Sequence, residues 1–108
     1  FVENVDYVSG VGWPGGQSGR DALGLHHGGP QWIITPKAIL HFDRQHGRAQ
    51  LHSIHPGVSP DEVRVSTGFS IHTADVPTTP WPTAEELSLL RQVVNPHGAL
   101  IPHPNEAQ

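Results

Sequence analysis

Short apolar runs separated by turn residues occupy the middle of the chain and predict β-strands. The runs are rich in β-branched residues and are bounded by glycine, proline or aspartate, as hairpin strands usually are. They cover residues 32–35, 38–42 and 48–54. Residues 43–47, which end in a glycine, predict a hairpin turn between the last two runs. Residues 1–8 have a similar composition and predict one further strand.

The first helix start has the pattern of a capping box. Ser59 precedes a proline, which suits the first helical position, and lies three residues before Glu62, whose carboxylate can reach back to the cap. We therefore predict a short helix over residues 59–67. It should end near Gly68, where we expect the left-handed backbone conformation that glycine tolerates.

A second capping box, Thr83 with Glu86, predicts another helix over residues 83–94. Its apolar residues fall on one side and form a continuous stripe. This apolar stripe comprises Leu87, Leu90 and Val94, flanked by Leu89 and Val93. A stripe of this width is expected to be covered by other protein rather than by water.

Residues 10–30 form a glycine-rich segment that predicts a long loop, since glycine permits backbone conformations closed to other residues. Two interpretations stay open: a flexible surface connection, or one wall of a substrate cleft, because loops of this length are often functional. In the second case backbone amides come close to an anion, and Arg20 is the side chain placed to meet it. The candidate substrate-binding residues are Gly15, Gly16, Gly19 and Arg20.

Charge and cysteine content narrow the class of protein. The net charge is −4 and the six basic residues are scattered, so nucleic-acid binding through phosphates is not expected. No apolar run approaches the roughly 20 residues needed to span a membrane. The chain has no cysteine, which excludes disulfides and thiolate metal sites and favours a cytoplasmic location.

The chain starts at Phe1 and contains no methionine, so we expect it to be part of a larger or processed polypeptide. Hydrophobic residues make up 35% of it, while glycine (12) and proline (11) account for about a fifth. We therefore expect extensive loops and an apolar surface that packs against protein outside the chain. Residues 1–108 should form one structural unit, with residues 102–108 as a frayed tail.

The nine histidines raise the question of a metal site, but their spacing does not favour one. Zinc needs three or four converging ligands, and no His-x-x-x-His pair on a helix is present. His41 and His52 lie on the two predicted hairpin arms, where they can face each other. For His55, which precedes Pro-Gly and a helix start, we favour a tight turn over a catalytic role, because no nucleophile is adjacent.

These motifs, in this order, resemble the C-terminal half of the β (B) subunit of the class I CoA-transferases. Residues 1–9 are similar to a strand of that family, and the glycine-rich segment, the next strands and the hairpin follow in the same order. Residues 51–63, Leu-His-Ser-Ile-His-Pro-Gly-Val-Ser-Pro-Asp-Glu-Val, resemble the family's His-Pro-Gly run. Residues 67–69 and 82–87 continue the similarity, which covers nearly the whole chain.

The resemblance implies an α/β fold, the C-terminal part of an open CoA-transferase-type sheet with a β-hairpin and two short capped helices. It implies an α subunit and the N-terminal half of the β subunit as partners, a CoA thioester as substrate and no covalently bound cofactor. Enzymes of this family transfer CoA between carboxylic acids through a glutamyl-CoA intermediate. No residue of this chain matches their nucleophilic glutamate, so we assign no catalytic and no metal-binding residue here.

Two alternatives to a transferase stay open. The family includes transferase-like hydrolases that open rings in steroid-derived CoA thioesters, and this chain alone does not separate the two activities. The other alternative is a non-catalytic domain that packs on a partner or binds a metal through its histidines.

Overall fold

The computed structural model describes residues 1–102, so the predicted tail at residues 102–108 lies outside the described residues except for its first residue. The elements in chain order are α1 (Gly16–Ala22), β1 (Trp32–Ile34), β2 (Ala38–Asp43), β3 (Arg48–Ile54), α2 (Pro60–Val65), α3 (Ala84–Leu89) and a π-helical turn (Leu90–Val94). The three strands form one antiparallel sheet in the order β1-β2-β3, which confirms the strands and the hairpin predicted within residues 32–54.

A β-bulge in the hairpin decides which side chains of β3 reach the core. Leu40 pairs with Leu51, but the next residue back on β2 pairs with Ser53, so β3 holds one extra residue at His52. Side chains alternate between the two faces of a strand, and one extra residue reverses that alternation. Leu51 and Ile54, three residues apart, therefore both face the core.

The core lies between one face of the sheet and α2. Its buried members are small aliphatic side chains, and partly buried neighbours surround them. The buried set is Ala38, Leu40, Ile54 and Val63, and the surrounding set includes Ile33, Ala49, Leu51 and Val58. Val63 is the one residue of α2 in the buried set, so a single side chain anchors this helix to the sheet.

The capping box of α2 is present as predicted, but the role assigned to Gly68 is wrong. Ser59 Oγ accepts from the amide of Glu62, and the Glu62 carboxylate accepts from the amide of Ser59. Gly68 has no left-handed backbone. It is needed because a Cβ there would lie 2.9 Å from the carbonyl oxygen of Phe1, which accepts a hydrogen bond from the Gly68 amide.

The strand predicted over residues 1–8 is wrong, since this stretch is irregular and exposed. A β-strand forms only beside a partner strand, and the described residues offer none here. The segment is instead held at its start. The main-chain nitrogen of Phe1 donates to the carbonyl of Ser66 at 3.1 Å, and the Phe1 ring lies 6.4 Å from the ring of Phe69.

The second helix starts at the predicted capping box and ends differently from expectation. Thr83 caps α3, whose last turn widens so that the amide of Asn95 donates to the carbonyl of Leu90 at 2.7 Å, a π-type bond. The apolar stripe is not covered within this chain, because Val93 is 69% exposed and its neighbours are exposed or half-buried.

The chain as a whole exposes more surface than a self-contained globule of its length. Its accessible surface is 8258 Å², whereas a globular protein of this size exposes about 5,900 Å². Its radius of gyration is 17.5 Å, against about 13 Å for a compact domain. Within residues 1–102, none of the helices has the length and apolar character that crossing a membrane requires.

The capping boxes make folding depend on pH. The pKa of the Glu62 carboxyl is lowered, chiefly because it accepts a hydrogen bond from the Ser59 amide. The amide of Thr83 lowers the pKa of Glu86 in the same way. A carboxyl group whose pKa is lower in the folded chain contributes stability above its unfolded pKa of about 4.3, and this contribution is lost as the pH falls through the folded pKa.

We therefore expect Glu62→Gln to lower the urea midpoint of the chain at about pH 7, and to have a smaller effect at about pH 3, because the contribution of the carboxylate declines as the pH falls below the unfolded pKa of about 4.3. Circular dichroism during urea unfolding at both pH values measures this. Ser70→Ala, at an exposed loop position, is the control and should leave both midpoints unchanged. Equal effects of Glu62→Gln at both pH values would contradict the prediction.

Candidate functional site

A short helix, α1, interrupts the glycine-rich segment, so the predicted loop over residues 10–30 is wrong for Gly16–Ala22. Gly15 precedes the helix in a left-handed conformation (φ 69°), and the amide of Leu23 closes the helix by donating to the carbonyl of Arg20. No sequence signal predicts α1, because glycine is a poor helix former and no side chain caps its start.

Gly16 and Gly19 lie where another stretch of backbone leaves no room for a side chain. A Cβ on Gly16 would overlap the carbonyl group of Gln45 in the β2–β3 turn, and a Cβ on Gly19 would overlap the carbonyl group of Pro14. These glycines therefore allow α1 to lie directly against the hairpin turn and against its own preceding proline. Their contact with a substrate stays a prediction.

Arg20 lies beneath the glycine-rich segment and is only 6% exposed. Its Nη1 donates to the carbonyl of Gly12 at 2.7 Å, and its Nη2 donates to the carbonyl of His27 at 3.0 Å. The guanidinium carbon is 5.0 Å from the centre of the Trp13 ring, within the range of a cation–π interaction. A direct contact between Arg20 and an anionic substrate would require the side chain to leave these partners.

His55 joins three segments at the end of β3, and the turn predicted after it is present. Its Nδ1 is 3.0 Å from Oγ1 of Thr79, and its Nε2 is 2.9 Å from the carbonyl oxygen of Thr35. Oγ1 of Thr79 is also 2.7 Å from Oγ of Ser53. Both ring nitrogens are therefore engaged in holding the connector that leads to α3 beside the sheet.

Three rings cluster on the face of the sheet opposite the core. The ring centres of Trp32, His41 and His52 are 4.9 to 6.0 Å apart, so the two hairpin histidines do face each other. Two imidazoles fall short of the three or four ligands of a zinc site. In the described part of the chain, no group of three or more His, Asp or Glu residues could hold a metal ion.

Among residues 1–102, four carboxyl groups have lowered pKa values, and each has a local partner. The side chain of Gln17 is the main cause at Asp21. At Asp43 the main cause is the side chain of His46, whose Nδ1 lies 2.6 Å from the carboxylate. The other two are the capping glutamates of α2 and α3. All four are ionised and locally engaged, whereas a general acid would need a raised pKa.

The structure places three of the four predicted site residues on α1 and the fourth, Gly15, directly before it, and it adds others that the sequence analysis missed. Trp13 is buried at 7% exposure, and its indole Nε1 donates to the carbonyl of Pro30 at 2.6 Å. Thr79 and Ser53, the partners of His55, were also missed. A tryptophan or threonine in a proline-rich or glycine-rich stretch carries no periodic signal, so only the fold reveals such contacts.

No protein-family model matches the chain. Curated relatives nevertheless align along its length. The chain is 36% identical over 109 residues to the β (B) subunit of glutaconate CoA-transferase from Acidaminococcus fermentans, an alignment that covers 100% of this chain and 41% of that relative. It is 34% identical over 97 residues to the cholesterol ring-cleaving hydrolase IpdB subunit of Rhodococcus jostii, covering 89% and 38%. The chain thus spans about two fifths of the length of these relatives.

Solved structures agree with the sequence comparison. The crystal structure of the A. fermentans glutaconate CoA-transferase superposes with a TM-score of 0.84 at 35% identity, over 96% of this chain and 40% of that chain. R. jostii IpdAB superposes with a TM-score of 0.75 at 33% identity, over 92% and 40%. The predicted α/β class is therefore confirmed, and the fold is that of a CoA-transferase segment. The chain itself is homologous to the β subunits of the CoA-transferase family.

The close contact at Gly19 has a testable consequence. Replacing a helical glycine by alanine normally stabilises a protein by up to about 1 kcal/mol. At Gly19 we expect the opposite sign, a loss of about 1–3 kcal/mol, because the new methyl group would overlap Pro14. Urea unfolding of the chain measures the change.

Gly10→Ala is the matched control for this substitution, because nothing lies within 4 Å of a Cβ at Gly10 and its φ is not positive. Its effect should stay within about 0.5 kcal/mol. A Gly19→Ala chain as stable as the parent would show that α1 does not approach Pro14 as described.

Proposed function

We propose that this chain is part of the β subunit of an enzyme that transfers coenzyme A between carboxylic acids. The observation that carries the proposal is the match to glutaconate CoA-transferase, which covers 100% of this chain in the sequence of the β subunit and 96% of it in the fold. The chain corresponds to the C-terminal half of that protein, and the segment around α1 forms one wall of the cleft that receives the CoA thioester.

In the proposed reaction CoA passes from the acyl donor to a glutamate of the enzyme and then to the acceptor carboxylate. A glutamate carboxylate attacks the thioester carbonyl and the C–S bond breaks. CoA leaves as the thiolate, and the acyl group stays joined to the glutamate as a mixed anhydride. The thiolate then attacks the glutamyl carbonyl, which releases the first carboxylate and leaves a glutamyl-CoA thioester. The acceptor carboxylate reverses these steps. The nucleophile is a glutamate outside this chain, in keeping with the engagement of Glu62 and Glu86 in helix caps.

The surface of the chain supports a role within a larger assembly. Its exposed area exceeds that of a self-contained globule by an amount on the order of 2,000 Å², similar to the area that obligate subunit interfaces bury. The apolar stripe on α3 and the π-helical turn is part of this surface, with Leu89 52% exposed. We propose that the rest of the β subunit and an α subunit cover it.

A hydrolase that opens a ring in a CoA thioester is the second candidate, favoured by the 34% identity to the cholesterol ring-cleaving hydrolase IpdB subunit. In that case water opens a ring of the acyl group and CoA stays attached, whereas a transferase moves CoA to a carboxylate. Both activities act on a CoA thioester, so an assay that follows both the ring and the CoA group separates them.

The parent assembly, isolated through a tag on this chain, should form a new CoA thioester when incubated with glutaconyl-CoA and acetate. Mass spectrometry of peptides should locate a CoA adduct on a glutamate outside residues 1–108. Opening of the ring in a cyclic acyl-CoA thioester without acetate, with CoA still attached to the product, would support the hydrolase instead. An assembly with neither activity on this donor or on other acyl-CoA thioesters would contradict both, and an adduct on Glu62 or Glu86 would refute the assignment of the nucleophile.

We also expect Leu90→Asp to prevent this chain from joining the assembly while leaving its own circular dichroism spectrum unchanged. The reason is that assembly would bury the charge on the stripe against the other subunits without an opposite charge to pair with it. Co-purification of the other subunits measures assembly. Ser88→Asp, on an exposed part of α3 outside the stripe, is the control and should assemble normally. Normal assembly of Leu90→Asp would exclude the stripe as a contact surface.

A further inference from the structure

We infer that Arg20 is a positioning residue, which ties together the two ends of the glycine-rich segment from beneath and so fixes the backbone that faces the substrate. We call residues 10–13 the first limb and residues 27–30 the second limb, with α1 between them. The inference rests on the proposed function for its catalytic consequence, but the tie itself is a property of this chain.

The guanidinium group bridges the limbs directly. Nη1 donates to the carbonyl of Gly12 on the first limb, and Nη2 donates to the carbonyl of His27 on the second, at 2.7 and 3.0 Å. A planar guanidinium presents its donors in a fixed fork, so it can hold two carbonyl groups at a set separation. A lysine ammonium is a compact point charge on a flexible stem and lacks this geometry.

Trp13 supplies a second tie between the same limbs. It belongs to the first limb, and its indole Nε1 donates to the carbonyl of Pro30 on the second at 2.6 Å. The second limb lies directly against the side chains of Trp13 and Arg20. A Cβ on Gly29 would be 2.7 Å from Cζ2 of Trp13 and 3.2 Å from Cζ of Arg20. Gly29 also has φ 100°, which other residues rarely adopt.

The closed segment is anchored to the hairpin turn. The amide of Gln17 donates to the carbonyl of Arg44 at 2.8 Å, and the guanidinium carbon of Arg44 lies 5.4 Å from the centre of the Trp13 ring. Arg44 is exposed and belongs to the turn, so it contacts the same ring as Arg20 without bridging the limbs. This difference makes Arg44 a matched control for Arg20.

The burial of Arg20 supports a positioning role for this residue over direct contact with a ligand. Arg20 is 6% exposed while neighbouring side chains of the segment, such as Val11 and Leu23, are 51% and 60% exposed. A ligand approaching from solvent therefore meets the segment before it meets the guanidinium. Within residues 1–102 the two hydrogen bonds of the guanidinium go to main-chain carbonyls, and the buried Nε has no partner. Its positive charge stays under the segment, where it favours an anion above the backbone.

Amide hydrogen exchange on the full chain tests the tie. We expect Arg20→Lys and Arg20→Met to speed exchange over the segment equally, at least about tenfold, because neither side chain can bridge both carbonyls. Arg44→Lys should change exchange less than about twofold. In the parent assembly, both Arg20 variants should raise the KM for the acyl-CoA donor more than they lower kcat, since a loose segment weakens binding first.

Each alternative predicts a different result. If Arg20 contacts the anion directly, Arg20→Lys keeps a charge, restores KM towards the parent value and leaves exchange unchanged, which would overturn the inference. Unchanged exchange in Arg20→Met would overturn it as well. An inactive parent assembly would refute the proposed function, while the exchange result would still decide the tie.

A milder variant covers the case in which Arg20→Met does not fold. Trp13→Phe keeps an aromatic ring beneath the limbs and removes only the hydrogen bond to Pro30. We expect faster exchange confined to residues 24–29, where the amides of Gly24 and Leu25 donate to carbonyl groups of α1, with an unchanged circular dichroism spectrum. Exchange in those residues equal to that of the parent chain would overturn the inference that these side chains close the segment.

Discussion

The paired strands β2 and β3 give the other elements their places of attachment. At the turn, the carbonyl of Arg44 accepts from the amide of Gln17 and so holds α1. At the far end, the amide of His55 donates to the carbonyl of Lys37, which closes the sheet at the point where the chain leaves for α2. Between these ends, the bulge at His52 turns the inward side chains of β3 towards Val63 of α2. Loss of hairpin register would therefore remove all three attachments together.

The small size of the core explains the extended shape of the chain. A handful of aliphatic side chains between three strands and one short helix cannot cover a helix as apolar as α3. The connector to α3 is fastened to the sheet by Thr79, but beyond it the apolar stripe stays exposed. The chain therefore leaves a larger apolar surface in contact with water than a compact domain of its length would.

Features that depend on nearby residues could be predicted from the sequence. Both capping boxes and the hairpin are of this kind, because a cap involves residues three apart and a hairpin involves neighbouring strands. The roles of Arg20 and Gly68 depend instead on segments that fold back from a distance. In the sequence, Arg20 has the pattern of a surface cation in a loop, and Gly68 has the pattern of a helix stop. The fold shows that Arg20 is buried against the carbonyl groups of Gly12 and His27. It also shows that Gly68 makes room for the main chain of Phe1.

The contacts of His55 impose a direction on the hydrogen bonds around it. The carbonyl oxygen of Thr35 can only accept, so Nε2 of the ring must carry a hydrogen. In the neutral ring Nδ1 then accepts from the hydroxyl of Thr79, which has given away its single hydrogen and must accept from Ser53. The direction of the Thr79 hydroxyl is thus set by the His55 ring, and the direction of the Ser53 hydroxyl is set by Thr79. The carbonyl of Thr35, which directly follows β1, therefore orients every hydrogen bond in this join between sheet and connector.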